Sequence, residues 1–158
     1  RYQNDSIVIA GTSAGAMAMS KSMIFGGSAA HSMIKGAVLM MDGLGLVESV
    51  IIDSHFINRG RFGRLTEAVA LHPQLLGIGL GEDTGIIIKN GVECRTIGSG
   101  IVILFDGSQL THNTVPILEE GTPISLANMI VHVMANSDRF NLADKSLKIL
   151  PVEAEFDF

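Results

Sequence analysis

The chain has 158 residues, 47% hydrophobic and 17% charged, enough for one domain with a buried core and incompatible with wholesale disorder. A formal net charge of −5 argues against non-specific nucleic-acid binding, which needs a basic surface to release counterions. One cysteine precludes an internal disulfide, and no apolar run reaches the ~18 residues that span a bilayer, so neither nucleic acid nor membrane is an expected partner.

The chain opens at Arg1 and reaches a strand-like run within a few residues, as expected of a fragment or processed product whose upstream sheet is missing. A cytoplasmic location is the expectation, with secretion left open for the same reason. Ser6 to Ala10 is a β-branched run suited to a strand buried on both faces. It ends in Gly11-Thr12-Ser13-Ala14-Gly15, after which Ala14 to Lys21, rich in alanine and methionine, predicts a helix. Gly26, Gly27 and Ser28 predict a loop, and the glycine-interrupted stretch from Val38 to Val47 a turn with a short strand. Val50 to Asp53 is a second buried strand leading into Ser54-His55-Phe56.

Phe62 to Leu71 has the apolar spacing of an amphipathic helix, stopped by His72-Pro73 because proline disfavours helical geometry in the residue before it. Leu76 to Leu80 is a third buried strand, closing at Gly81-Glu82-Asp83. Gly85 to Lys89 and Val92 to Thr96 flank Asn90-Gly91, a strong hairpin signal. Ile101 to Phe105 and Ile124 to Met134 complete a β-rich second half. Buried Cys94 reads as a small hydrophobe. The expected architecture is α/β, an open, mostly parallel sheet with added antiparallel hairpins, occupying residues 1–150. Residues 151–158 form an acidic tail.

Gly-x-Ser-x-Gly between a strand and a helix is the nucleophile-elbow arrangement, in which a serine sits on a strained turn above the carboxyl end of the sheet. The Ala14 N–H, at the helix start, then points toward a developing oxyanion. Glycine-rich strand–helix turns also cradle phosphates, although no lysine follows the second glycine as in a P-loop. A serine nucleophile needs a base among five histidines. His31, His72 and His112 fall in loops or turns, and His132 lies within a period-two strand. His55 differs by following a buried strand at its carboxyl end, on the rim where Ser13 is expected, and the third strand brings Glu82 there too. The α/β-hydrolase order of serine, acid and histidine would instead use Asp106 with His112 or His132.

Three motifs in order, Gly11-Thr12-Ser13-Ala14-Gly15-Ala16, Asp53-Ser54-His55-Phe56 with Arg59-Gly60-Arg61 and Arg64-Leu65, and Gly77-Ile78-Gly79-Leu80-Gly81-Glu82-Asp83-Thr84, resemble those of the cyanophycinases. These belong to the serine peptidase family that also contains dipeptidase E, and the resemblance runs from about Ser6 to Leu142. It implies a class I glutamine amidotransferase-like (flavodoxin-like) fold with Ser13 as nucleophile, His55 as general base and Glu82 orienting the imidazole. Adjacent residues of an extended segment point opposite ways, and the resemblance selects Glu82 over Asp83.

Cyanophycinases cut a polymer of aspartate whose side chains carry arginine, releasing β-Asp-Arg dipeptides. The implied pocket contains Asp53, suited to accept a guanidinium, with Ser54, and Arg59, Arg61 and Arg64, whose planar forks suit carboxylates. Ser54 stands where these enzymes often have glutamine. The glycine-rich loop that should supply a second oxyanion donor is absent from the sequence. The expected partners are therefore a peptide or polymer substrate, a second copy in a homodimer, and a companion chain supplying the missing half. No cofactor or metal is expected, since no His/Cys/Asp cluster has ligand spacing. The rival readings are a dipeptidase E-like enzyme acting on α-aspartyl peptides and a catalytically silent binding protein of the same fold.

Overall fold

The computed structural model describes residues 7–28 and 31–150. In chain order the elements are α1 (Ala14–Met17), β1 (Ser22–Gly27), β2 (Val38–Asp42), β3 (Val50–Asp53), α2 (Phe62–Leu71), β4 (Leu76–Leu80) and β5 (Thr84–Lys89). There follow β6 (Glu93–Gly98), β7 (Val102–Asp106), β8 (His112–Asn113), β9 (Leu126–Ala127), β10 (Ile130–Met134), β11 (Arg139–Asn141) and β12 (Leu147–Lys148).

The central sheet has the order β10-β7-β4-β3. β3 and β4 run parallel with Val50 opposite Leu76 and Asp53 opposite Gly79, while β7 and β10 are antiparallel to their neighbours. The sheet is therefore mixed, not mostly parallel: the chain leaves it after β4 for the β5–β6 hairpin and re-enters antiparallel as β7, and β10 then pairs antiparallel with β7. β3, β4 and β7 are buried throughout, as strands covered on both faces must be.

Period two sorts their side chains into two cores. Val50, Ile52, Ile78, Val102 and Leu104 face one way and pack with Cys94 and Phe140 from a second sheet, β12-β11-β6-β5. Ile51, Ile103 and Phe105 face the other way, against Phe56 and the α2 side chains Leu65, Ala68 and Val69. On this second face β4 presents only Gly77 and Gly79. A Cβ at Gly77 would lie 2.6 Å from Val69 Cγ2, and one at Gly79 2.5 Å from the Phe56 ring. The alternation Leu-Gly-Ile-Gly-Leu thus lets α2 and Phe56 press directly onto the strand.

Several expectations are corrected. Residues 7–10 form no strand, and Ile7, Val8 and Ile9 are exposed, because no described strand pairs with them (Ser6 lies outside the described residues). The helix expected over 14–21 stops at Met17. Beyond it the Ala18, Met19 and Ser20 carbonyls accept from Leu44 (2.7 Å), Leu46 (2.9 Å) and Gly45 (3.2 Å), so tertiary partners outcompete helical ones. The expected glycine loop at 26–27 is the end of strand β1, bulged between Ile24 and Gly26 against β2. The run from Ile124 to Met134 splits into β9 and β10 around Asn128, whose φ of 64° breaks the pleat. The acidic tail, 151–158, lies outside the described residues.

Candidate active site

Ser13 caps α1 with φ 49° and ψ −121°, a left-handed conformation that costs a non-glycine residue about 1–3 kcal/mol and that the surroundings must hold. The turn is closed by Gly15 N–H to Thr12 O (2.8 Å) and Ala16 N–H to Ser13 O (3.1 Å). The two flanking glycines differ. A Cβ at Gly11 would sit 2.7 Å from the Gly15 carbonyl group, so only glycine fits, whereas one at Gly15 would meet nothing within 4 Å. The Ala14 N–H opens α1 and so has no intrahelical acceptor.

His55 follows β3 with φ 50°, a second strained position. Phe56 N–H donates to Leu80 O (3.0 Å), tying this turn to the carboxyl end of β4, and Arg59 N–H donates to His55 O (3.1 Å). Just past β4, Gly81 N–H donates to Ile101 O (3.1 Å), and Thr84 Oγ1–H to Glu82 O (2.9 Å). The parallel pair β3–β4 therefore delivers His55 and Glu82 side by side.

The three side chains form one chain of hydrogen bonds. Ser13 Oγ is 3.0 Å from His55 Nε2, and His55 Nδ1 is 2.8 Å from Glu82 Oε1. An ionised glutamate only accepts, so Nδ1 carries the proton and Nε2 is left free to accept from the serine hydroxyl. Glu82 rather than Asp83 is thus the acid that meets the imidazole. The imidazole is 29% and the Glu82 carboxylate 42% exposed, so the chain is open to solvent and substrate. The rival grouping is not assembled, because Asp106 pairs with Lys145 (2.6 Å) and His132 packs against the Phe140 ring at 5.6 Å.

Beside the serine lies a cavity of about 260 Å³, lined by Ser13, Ala14, Ser54, His55, Arg59, Arg61 and Arg64. Asp53 is fully buried, and its carboxylate is occupied by the protein itself. Arg64 donates to it from Nε (2.7 Å) and Nη2 (2.5 Å), a two-point fork, and Arg61 adds Nη1 (3.1 Å). The expectation that Asp53 meets a substrate guanidinium is corrected accordingly: internal cations reach it first and no face is left open. Arg61 also donates to Ser54 O (2.6 Å), and Ser54 Oγ–H turns to Met17 Sδ (3.3 Å), leaving the serine 5% exposed.

Burial pulls the Arg61 guanidinium below its ordinary pKa, with Arg64 and Arg59 adding and Asp53 opposing. Arginine remains cationic regardless. Three guanidiniums against one carboxylate leave the cavity wall positive, and among the described residues no carboxylate pairs with Arg59. Sequence reasoning missed Met17, Met23, Ile24 and Phe25, which complete the lining. Only the β1–β2 hairpin brings the last three there, and no local motif announces it. Among the described residues no group of three or more His, Cys, Asp or Glu side chains gathers as a metal site.

A strained serine bonded through histidine to glutamate, the latter two at the carboxyl ends of parallel strands, has the arrangement that serine hydrolases use. The chain belongs to peptidase family S51, whose family model matches residues 1–94. It is 39% identical over 147 residues to the cyanophycinases of Trichormus variabilis and of Nostoc sp., covering 93% of this chain and 49% of each relative. It is also 37% identical over 141 residues to the cyanophycinase of Geminocystis herdmanii, covering 89% of this chain and 52% of the relative. The chain therefore spans about half the length of the curated relatives it matches.

Proposed function

We propose that the chain carries the catalytic residues of a serine peptidase that hydrolyses the β-aspartyl-arginine linkages of cyanophycin to β-Asp-Arg dipeptides. The observation that carries this reading is the continuous Ser13–His55–Glu82 hydrogen-bond chain. The substrate class is supported by the names of the relatives and by the positive cavity wall, suited to the free carboxylates of such a polymer.

In this mechanism His55 Nε2 takes the hydroxyl proton as Ser13 Oγ attacks the isopeptide carbonyl carbon. The carbonyl oxygen becomes an oxyanion facing the Ala14 N–H. His55 then gives its proton to the departing nitrogen and the C–N bond breaks, leaving an ester on Ser13. Water, deprotonated by His55, attacks this ester, and the proton returns to Ser13 Oγ as the acid leaves. Glu82 stays ionised throughout and stabilises the imidazolium. Arg59 and Arg61 bind substrate carboxylates, and Asp53 holds Arg61 and Arg64 in place. The fold is read as flavodoxin-like, of the class I glutamine amidotransferase kind, with residues 1–150 a portion of one peptidase domain; the parallel pair carrying the site at its carboxyl end supports this.

The test is release of β-Asp-Arg from purified polymer by the full-length protein and its Ser13→Ala variant. Turnover should fall by at least about 10³-fold with polymer binding kept. Cleavage of α-aspartyl dipeptides alone, or an unchanged rate in the variant, would overturn the reading.

A further inference from the structure

The second sheet presents one face to the core and the other to solvent. Inward go Ile88, Cys94, Phe140 and Leu147. Outward, in direct cross-strand register, go Ile87 on β5, Arg95 on β6, Arg139 on β11 and Lys148 on β12. Directly opposed residues share a face of a sheet. Three cations therefore stand in a row on three successive strands, about 5 Å apart from strand to strand.

Like charges placed opposite one another destabilise a sheet unless something neutralises them. Among the described residues no ion pair within 4.0 Å reaches Arg95, Arg139 or Lys148. The row borders a cleft of about 410 Å³ that also takes in Asn141 and Ser146. Glu93, which also lines the cleft, lies opposite Lys89 in register and makes no ion pair within 4.0 Å with any residue of the row. A chain with a formal charge of −5 thus gathers four basic residues and one acidic one in this cleft.

We propose that this cleft is a secondary binding site for the carboxylates of an extended polymer, holding the substrate chain apart from the Ser13 cavity. Charge complementarity selects the group bound, since planar guanidinium forks take carboxylates in two-point contact and a row of them suits a carboxylate repeated along a chain. Placement fits as well. β5 begins two residues after Glu82, and Ile87, in line with the row, lies roughly 10 Å further along that strand. A polymer engaged at the serine can extend to the row, gaining affinity by effective concentration without new chemistry at the active site. The identity of the polymer as substrate rests on the reading above; the carboxylate site itself does not.

The experiment replaces the row in the full-length protein (Arg95→Gln, Arg139→Gln, Lys148→Gln) and uses poly-L-aspartate as the binding probe, in a Ser13→Ala background. Poly-aspartate affinity should fall at least tenfold, while the thermal midpoint stays equal or rises as like-charge repulsion is removed. Arg139→Gln alone, the centre of the row, should show a smaller loss in the same direction and serves if the triple variant fails to fold. With Ser13 intact, KM for long polymer should rise while kcat, and KM for a substrate with one scissile bond, stay unchanged. Unaltered poly-aspartate affinity, or tight binding of inorganic polyphosphate with none of poly-aspartate, overturns the inference. Poly-aspartate binding that depends on the row, in a protein that does not cleave the polymer, upholds this site and overturns the proposed substrate instead.

Discussion

Replacing Asp53 with asparagine keeps the shape at the end of β3 but removes the charge that two buried guanidiniums share. Arg64 is 7% and Arg61 13% exposed at the side chain, so water cannot take over the role of the carboxylate. Removing one partner of a buried pair leaves the other uncompensated and costs about 3–5 kcal/mol. For a chain of this size each kcal/mol moves the thermal midpoint by about 2–4 °C, so Asp53→Asn should lower it by roughly 6–20 °C. Arg64→Met alone should cost a similar amount. The double variant should recover part of the loss, because a buried pair replaced by apolar groups is often near neutral. The assay is thermal and urea unfolding of the four proteins as a double-mutant cycle, alongside the rate at which a serine-directed phosphonate labels Ser13. A midpoint for Asp53→Asn within a degree of the parent, or additive effects with coupling below about 0.5 kcal/mol, would refute the account of Asp53 as the organiser of the cationic wall.

Glu82→Gln should lower kcat on the order of 10⁴-fold by failing to stabilise the imidazolium, while Asp83→Asn stays near the parent rate; equal losses would remove Glu82 from its role. Glu67, fully buried on α2, accepts from Gly36 N–H (2.8 Å), and burial outweighs that bond to raise its pKa above the ordinary 4.5. Its stability contribution is thus full below that value and lost as pH rises through the raised folded value. Glu67→Gln should flatten urea-derived stability from about pH 4.5 upward, and a slope like the parent's would show that another group is responsible. Asp106 has the opposite sign. Burial alone would raise its pKa, but Lys145 and Ser108 hold it below 3.8, so its contribution is present above that value and lost as pH falls. Lys145→Met should accordingly lower stability above that value and flatten its loss in acid, and an unchanged acid limb would discount the pair. Gly79→Ala should cost about 1–3 kcal/mol in urea unfolding by driving a methyl into the Phe56 ring, with partial recovery on adding Phe56→Leu; a neutral Gly79→Ala would mean that the ring moves freely.

The elements that frame the site were legible because their signals are local. Unbroken apolar runs mark β3 and β4, Pro73 stops α2, and Asn90-Gly91 turns β5 into β6. The Gly-x-Ser-x-Gly turn and a histidine closing a buried strand pointed to one rim of one sheet. Strand alternation alone left Glu82 and Asp83 as rivals, and a family resemblance chose between them.

Other features depend on partners distant in the chain. Propensity favours helix from Ala14 to Lys21, yet the backbone of Gly43–Val47 claims the carbonyls that would continue it. Asp53 reads as an open acid until folding brings Arg64 round on α2 to occupy it. The row Arg95–Arg139–Lys148 exists only in cross-strand register, which no local pattern contains. Sequence by itself determined which residue types could do chemistry and that β3, β4 and α2 carry buried apolar faces, because period and turn residues are properties of neighbours along the chain. Tertiary structure alone decided which charges are spent internally and which are left to meet a ligand, because pairing is settled by proximity in space.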